Sequence, residues 1–399
     1  MPTKSRDESA LDMKLEPERN PAGILLLVAG LGGAIGTTVA AATALMQVRP
    51  GQVVPYLTTP ICAPDLPAPM TFQAAGWDIR PRPLVEALAD SAIVPEAIWS
   101  QARPGIEAVP LLPAPPADAP LRARVETLLK DIEELRQRWP HHRPVLVNLL
   151  PAAVDPDLTA CTDLDTLLAH PEAGTLPDLA YVLAALQAGI PVVNFTPNRV
   201  EIPVVAAMAA AAGVPLLGRD GKTGQTYFKV VLASALKARS LRVDGWYSLN
   251  ILGNADGANL DDPARAAGKL ANKTELLHEI LGYPVADAQG RSTHKVRIDY
   301  YPPRGDAKEA WDAIDFSGLF DLPMSLRIDL QGRDSILAAP LVLDLARWCV
   351  ALMQGGIAGP VPQLGFFFKK PVGDDPPITF AQQLAALDRL AERCRRSHP

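Results

Sequence analysis

The stretch of this 399-residue chain that most constrains its fold is Asn20–Val48, which carries no charged residue. Its β-suited run Ile24–Val28 leads into Gly30, Gly32, Gly33 and Gly36, then Thr37, Thr38 and an alanine-rich segment to Met46. By length alone such a run is able to span a bilayer. Glycines in its middle fit instead a turn that needs positive φ and close backbone approach, between a buried strand and a buried helix. We read strand–turn–helix. Such a turn suits a dinucleotide, because the backbone approaches a pyrophosphate closely and the helix start offers free N–H groups. The spacing G-x-G-G-x-x-G is one residue longer from Gly32 to Gly36 than the usual fingerprint. The acidic residue expected about 20 residues on is missing, the next acid after the helix being Asp65. A glycine turn that only packs a helix on a sheet stays open as the alternative.

Further units of the same kind follow. Leu121–Trp139 has Leu121, Val125, Leu128, Leu129, Ile132 and Leu135 at helical spacing with charges opposite. Val145–Leu150, Ile190–Phe195 and Val214–Leu217 read as short apolar strands, and Pro177–Gly189 and Pro203–Gly213 as helices. Alternation of this kind predicts an α/β fold with a doubly wound parallel sheet, whose strand ends place ligands along one edge. The proline-rich stretch Val109–Pro120 reads as a loop.

Composition excludes several function classes. Forty-eight per cent apolar and 21% charged residues are ordinary globular usage. A net charge of −6 gives no basic surface for a nucleic-acid backbone. Cys62, Cys161, Cys349 and Cys394 lie far apart with no CxxC, and the six histidines show no HExxH or HxH pairing, which argues against a zinc ribbon or a histidine-rich metal site. Residues 1–20 read as a loose polar tail rather than a signal peptide, so a cytoplasmic setting with no membrane partner is expected.

At Gly218–Thr226 a strand gives way to a helix through Gly-Arg-Asp-Gly-Lys-Thr-Gly-Gln-Thr. A full P-loop requires glycine five residues before Gly221, where Leu216 stands, so a nucleotide triphosphatase is disfavoured. The glycines, threonine hydroxyls and helix start still make an anion cradle, with Thr223 as plain helix cap the alternative reading. Gly245–Gly257 is dense in Asn, Gly and Asp and reads as loops that present polar groups. Lys269 and Lys273 stand four apart, on one face of a helix; Lys308 follows a Pro-Pro turn; Arg333–Pro340 opens an apolar helix; and Phe366-Phe-Phe-Lys369 puts a lysine at the end of an apolar strand.

Taken in chain order, these elements resemble the inositol-3-phosphate synthase (myo-inositol-1-phosphate synthase) family, closest to a short bacterial branch. The matching elements are the turn Gly30–Gly36, Gly76-Trp-Asp78-Ile, Asn194-Phe-Thr-Pro-Asn198, Asp220-x-Lys-Thr-Gly-Gln-Thr226, Asn250-x-x-Gly-Asn-x-Asp-Gly257, the pair Lys269 and Lys273, Gly305-Asp-x-Lys308, Asp334-Ser-x-Leu-Ala-Ala-Pro340, and Lys369. The resemblance spans roughly residues 22 to 372. It implies conversion of glucose 6-phosphate to inositol 3-phosphate with NAD used catalytically: oxidation at carbon 5, proton loss at carbon 6, aldol closure onto carbon 1, and re-reduction. It also implies that Lys269, Lys308 and Lys369, with Asp220, Asp256 and Asp334, are catalytic. Gly30, Gly32, Gly33, Ala34, Ile35, Gly36, Thr37, Asp78, Asn194, Pro197, Asp220, Asp334 and Ser335 would hold NAD. Thr223, Gly224, Gln225, Thr226, Asn250, Leu252, Asn254 and Lys273 would hold the sugar phosphate. Fixed cations in a dry site stabilise the alkoxide and enolate charges of such a reaction, and clustering lets lysines also move protons.

The family resemblance further implies a Rossmann-like NAD domain over 21–226 and 337–399. A second α/β domain over 227–336 would have a sheet used in catalysis and assembly, in a homotetramer. Whether a monovalent or divalent cation assists stays open. Departures from the family pattern fall at Asn148–Pro151, at Gly221 where a bulky residue is usual, at Leu249 where a polar one is frequent, and at Gly268 and Asn272 in place of serines. They raise the alternative of another hexose phosphate, such as fructose 6-phosphate closing to a five-membered cyclitol. A simple NAD-dependent dehydrogenase and a non-enzymatic dinucleotide-binding regulator are the remaining readings.

Overall fold

The computed structural model describes residues 23–57, 71–261 and 276–396. Two sheets organise it. The first has seven strands: β1 (Gly23–Ala29), β2 (Thr71–Asp78), β3 (Leu111–Pro113), β4 (His142–Asn148), β5 (Val192–Asn194), β6 (Pro215–Gly218) and β11 (Gly359–Pro360). Their order is β11-β6-β5-β4-β1-β2-β3 and every pairing is parallel. Reading 3-2-1-4-5-6 across the sheet gives the Rossmann order, with its switch point between β1 and β4. The charge-free stretch thus forms a strand, a turn and a helix. All seven residues of β1 are buried, as helices on both faces of a parallel sheet require. Helices Ala34–Val48 and Asp334–Gln354 cover one face; Leu121–Arg138 and Asp178–Gln187 cover the other. Asp334–Gln354 is long and apolar enough to cross a membrane, and it lies mostly inside this core.

The second sheet has the order β10-β9-β7-β8, built from β7 (Arg242–Leu252), β8 (His294–Tyr300), β9 (Ala307–Ser317) and β10 (Pro323–Arg333). β7 runs parallel to β8 and antiparallel to β9. Trp246, Ser248, Asn250 and Leu252 alternate inward from β7, and Trp246 packs in one cluster with Val230, Ala233 and Leu236 of helix Gln225–Ala238.

Three local expectations are corrected. The stretch read as polar loops, Gly245–Gly257, is for most of its length the central strand β7, because pairing on both sides and inward alternation outweigh its Asn and Gly content. The proline-rich Val109–Pro120 contains the short strand β3, held against β2. Phe366–Lys369 forms no strand: it is a turn with one isolated bridge from Phe368 to Gly221, pinned to the loop after β6.

Candidate active site

The carboxyl edge of the first sheet carries the glycine turn. Gly30 adopts φ +87°, and its N–H and that of Leu31 both donate to Trp77 O. A Cβ on Gly36 would lie 2.5 Å from Leu31 O, so only glycine lets the helix start this close to the turn. The helix has Gly33 as its N-cap with no side-chain cap, and Gly33, Ala34 and Ile35 are exposed or half-buried there. Thr37 is buried, its hydroxyl donating to Gly33 O at 3.0 Å and Ala34 O at 3.2 Å, so it serves the helix itself.

The acid missing from the sequence pattern stands at Asp78, the last residue of β2. Gly32 N–H donates to Asp78 Oδ2 at 3.1 Å, and a Cβ on Gly32 would lie 2.7 Å from that oxygen. The end of β2 is where a Rossmann fold puts its ribose-binding carboxylate. The family resemblance points to this residue, but the fixed-distance rule does not, because residues 49–70 intervene between helix and strand.

Asn194, at the end of β5, is fully buried with its amide engaged: it donates to Asn198 O and Glu201 Oε1, both at 2.8 Å, and accepts from Asn148 Nδ2 at 3.0 Å and Thr196 Oγ1 at 3.0 Å. It therefore braces the strand ends rather than offering donors to a cofactor. Pro197 beside it is half-buried. Asn148 also donates to Asp178 Oδ1 at 2.6 Å, which gives the departure at that position a structural role. Burial pushes the carboxyls of Asp178 and Glu201 up, Glu201 to about 7. Neither acid stood out in the sequence; a buried glutamate in a loop leaves no periodic signal.

The loop after β6 gathers the chemistry. Asp220, at φ +63°, accepts from Lys369 Nζ at 2.6 Å. Thr223 Oγ1 donates to Asp334 Oδ1 at 3.3 Å, while Lys308 Nζ donates to Asp334 Oδ2 at 2.9 Å. Both lysine side chains are only 12–13% exposed. Ser335 Oγ and Asn254 Nδ2 both donate to Asp306 Oδ1, at 3.3 and 3.1 Å. Burial raises the Asp306 carboxyl, and its Oδ2 has no partner among the described residues. Asp306 lies within the Gly305-Asp-x-Lys308 stretch, the signal that would have flagged it.

Gly224 caps helix Gln225–Ala238 beneath Leu330, Leu337 and Asp334. Gln225 is buried and donates to Asp312 Oδ2 at 2.9 Å, and Thr226 is buried one residue on. Asn250 is 1% exposed, and neither of its amide atoms has a partner among the described residues. Leu252 is buried against Ala152 and Leu260. Asn254 also caps helix Ala255–Leu260, accepting from Gly257 N–H at 3.0 Å. Asp256 belongs to that helix, its side chain outside what the structure describes. Lys269, Lys273, Gly268 and Asn272 lie outside the described residues. Among the described residues no cluster of three or more His, Cys, Asp or Glu is able to hold a metal.

Residues 224–335 match the family model for myo-inositol-1-phosphate synthase. The chain is 44% identical over 202 residues to inositol-3-phosphate synthase 1 of Bacteroides thetaiotaomicron, covering 50% of this chain and 47% of that protein. Over these stretches the chain is similar to inositol-3-phosphate synthases. The enzyme of Spirodela polyrhiza is 27% identical over 293 residues, covering 68% of this chain and 58% of its own length. The chain thus spans about half the length of these curated relatives. Two solved structures share the fold at 20% identity. They are an inositol-3-phosphate synthase from Caenorhabditis elegans (TM-score 0.81, 94% of this chain, 86% of that one) and a myo-inositol-1-phosphate synthase-related protein from Thermotoga maritima (TM-score 0.74, 94% and 98%).

Two departures from the synthase pattern acquire a physical account. At Gly221 a Cβ would lie 2.2 Å from Cζ of Phe195, so the aromatic ring supplies the bulk that the loop lacks. Leu249 pairs in register with Trp311, and alternation along β7 turns it to the opposite face of the sheet from Asn250.

Proposed function

We propose that this chain is an NAD-dependent sugar-phosphate cyclase that converts glucose 6-phosphate to 1D-myo-inositol 3-phosphate. One observation carries the reading: two lysine–aspartate pairs, Lys369–Asp220 and Lys308–Asp334, come from distant parts of the chain and meet the same loop, through Asp220 and Thr223. The positions of Gly221 and Leu249 favour glucose 6-phosphate over another hexose phosphate, since one loss of bulk is refilled and the other change faces away.

The residues at the glycine turn fit a dinucleotide. The uncapped helix start suits a pyrophosphate and Asp78 suits ribose hydroxyls. When bound, NAD takes a hydride from the sugar and gives it back within the cycle. The chain does the rest. Lys308 and Lys369 hold ammonium groups against oxyanions that develop on the sugar and exchange protons with its oxygens. Asp220 and Asp334 fix those lysines by charge-assisted hydrogen bonds. Gly224 and the following helix start, with Thr223, Gln225 and Thr226, receive the phosphate. Asn250 offers its unpaired amide to the sugar, and burying that amide without a ligand is costly. Lys269, Lys273 and Asp256 complete the set.

Residues 21–226 and 337–399 would form the NAD side and 227–336 the catalytic and assembly side. Assembly to a homotetramer would use the outer face of the second sheet, where Tyr247 and Trp311 stand 6.0 Å apart and stay 36% and 37% exposed. The setting fits a cytoplasm that supplies NAD and free sugar phosphate. Incubation with NAD+ and glucose 6-phosphate tests the proposal: inositol phosphate should form with no net NADH. Sustained NADH accumulation would mean a dehydrogenase, and absence of product from every hexose phosphate would refute the class.

A further inference from the structure

Lys222 stands in the middle of the anion cradle's sequence, yet its amine is buried elsewhere. The side chain is 3% exposed, and Nζ donates to Gly365 O at 2.7 Å and Gln383 Oε1 at 2.8 Å. Gln383 is set for that contact, because its Nε2 donates to Pro377 O and Ile378 O at 3.3 and 3.1 Å, which leaves Oε1 for the lysine. Both acceptors are neutral, and two N–H groups are enough to satisfy them. Burial, aided by the nearby Lys369 charge, lowers the amine to about 7.

The backbone repeats the connection. Lys222 N–H donates to Phe367 O, Lys369 N–H donates to Asp220 O, and Gly221 bridges to Phe368. One short loop is therefore sewn to the segment that carries Lys369, and the Lys222 side chain ties both to the helix Phe380–Arg396 behind them. With its amine buried and two of its donors committed to Gly365 and Gln383, this lysine faces the core behind the loop.

We propose that Lys222 is a positioning residue that holds the Lys369–Asp220 pair in register and makes no contact with the substrate phosphate. The inference rests on the cyclase reading. The test compares Lys222→Met, Gln383→Leu, Gln383→Glu and the double variant K222M/Q383L in glucose 6-phosphate cyclisation, with inorganic phosphate as a competitive probe of the cradle. Lys222→Met and Gln383→Leu should each lower kcat at least tenfold. KM and the phosphate inhibition constant should move less than threefold, and the double variant should be no worse than Lys222→Met. Gln383→Glu, which keeps an acceptor, should stay within threefold of wild type in kcat. A tenfold rise in KM and in the phosphate inhibition constant with kcat preserved would make Lys222 a phosphate ligand and overturn the proposal. If Lys222→Met does not fold, the Gln383 pair decides, and equal kcat for Gln383→Leu and Gln383→Glu overturns it. A wild-type protein that cyclises no hexose phosphate would end the cyclase reading and this inference with it, whereas loss of the kcat–KM split in an active wild type ends this inference alone.

Discussion

The ring of Phe195 occupies the space that a side chain at Gly221 would need, 2.2 Å from an ideal Cβ to ring Cζ. The two residues close the end of β5 onto the loop after β6, where Gly221 N–H donates to Phe195 O at 3.1 Å. Bulk and void are thus a matched pair, and each should be tolerable only with the other. Gly221→Ala should cost about 1–3 kcal/mol by overpacking, and Gly221→Phe more. Combining Gly221→Phe with Phe195→Gly should recover at least half of that loss, as read from urea-unfolding midpoints. A double variant no more stable than Gly221→Phe would show that the ring and the loop are not exchangeable.

The two lysine–aspartate pairs predict a loss that is chemical rather than structural. On the cyclase reading, Lys308→Met and Lys369→Met each remove an ammonium that would face developing negative charge, so kcat should fall by about 10²–10³. NAD affinity, measured by fluorescence titration, should change less than threefold, because neither lysine belongs to the glycine turn. Loss of NAD binding in step with activity would assign these lysines to folding instead.

The strand–turn–helix at the start of the chain was legible because a charge-free run with central glycines has few ways to satisfy its backbone. The parallel α/β class was legible for a similar reason, several apolar runs being as long as a strand and alternating with helical periodicity, whereas the order of the strands was not. Asp78 was named by the family resemblance but escaped the spacing rule, which counts residues while the fold counts strands, and residues 49–70 break the count. β7 read as loop because local Asn and Gly content says nothing about the partners β8 and β9 that pair with it. Lys222 and Glu201 were beyond reach altogether. Whether a lysine in a cradle sequence faces the anion or the core depends on Gly365 and Gln383, and whether Glu201 is buried depends on Asn194 and Arg219. Such contacts exist only after folding.

Asp78 should decide the dinucleotide preference. Its carboxylate meets Gly32 N–H and stands where a ribose hydroxyl would be read, and it repels a 2′-phosphate. Asp78→Ala should weaken NAD binding about tenfold, or roughly 1.4 kcal/mol, and narrow the preference for NAD over NADP. Calorimetric titration with both dinucleotides checks this. An unchanged ratio between them would remove Asp78 from the ribose site.

Glu201 should give the protein a pH-dependent stability. Its carboxyl is fully buried, bonded to Asn194, 3.8 Å from Arg219, and raised from 4.5 to about 7, desolvation being the largest cause. The folded state then holds a proton that the unfolded chain has lost between pH 4.5 and 7. Its stabilising contribution is complete below 4.5 and is withdrawn as pH climbs through 7, by up to about 3 kcal/mol. Glu201→Gln keeps an acceptor for Asn194 and cannot ionise. Relative to the variant, wild type should lose unfolding free energy between pH 5 and pH 8; curves that stay parallel would place the Glu201 pKa near its ordinary value.

The outer face of the second sheet should govern assembly. Tyr247 and Trp311 stand in edge-to-face contact there, flanked by Arg297 paired with Asp299 and by Arg327 near Asp315. An aromatic centre with a charged rim is the composition of an interface core and its border, and burying two such rings supplies the large apolar area that association needs. Trp311→Glu places a carboxylate in that centre, where desolvating it without a partner is costly. Light scattering should show the variant in a smaller species than wild type at equal concentration. Thermal unfolding of the separated subunit should stay close to that of wild type at high dilution, since Trp311 packs outward rather than into the core. A variant of undiminished size would exclude this face from the assembly.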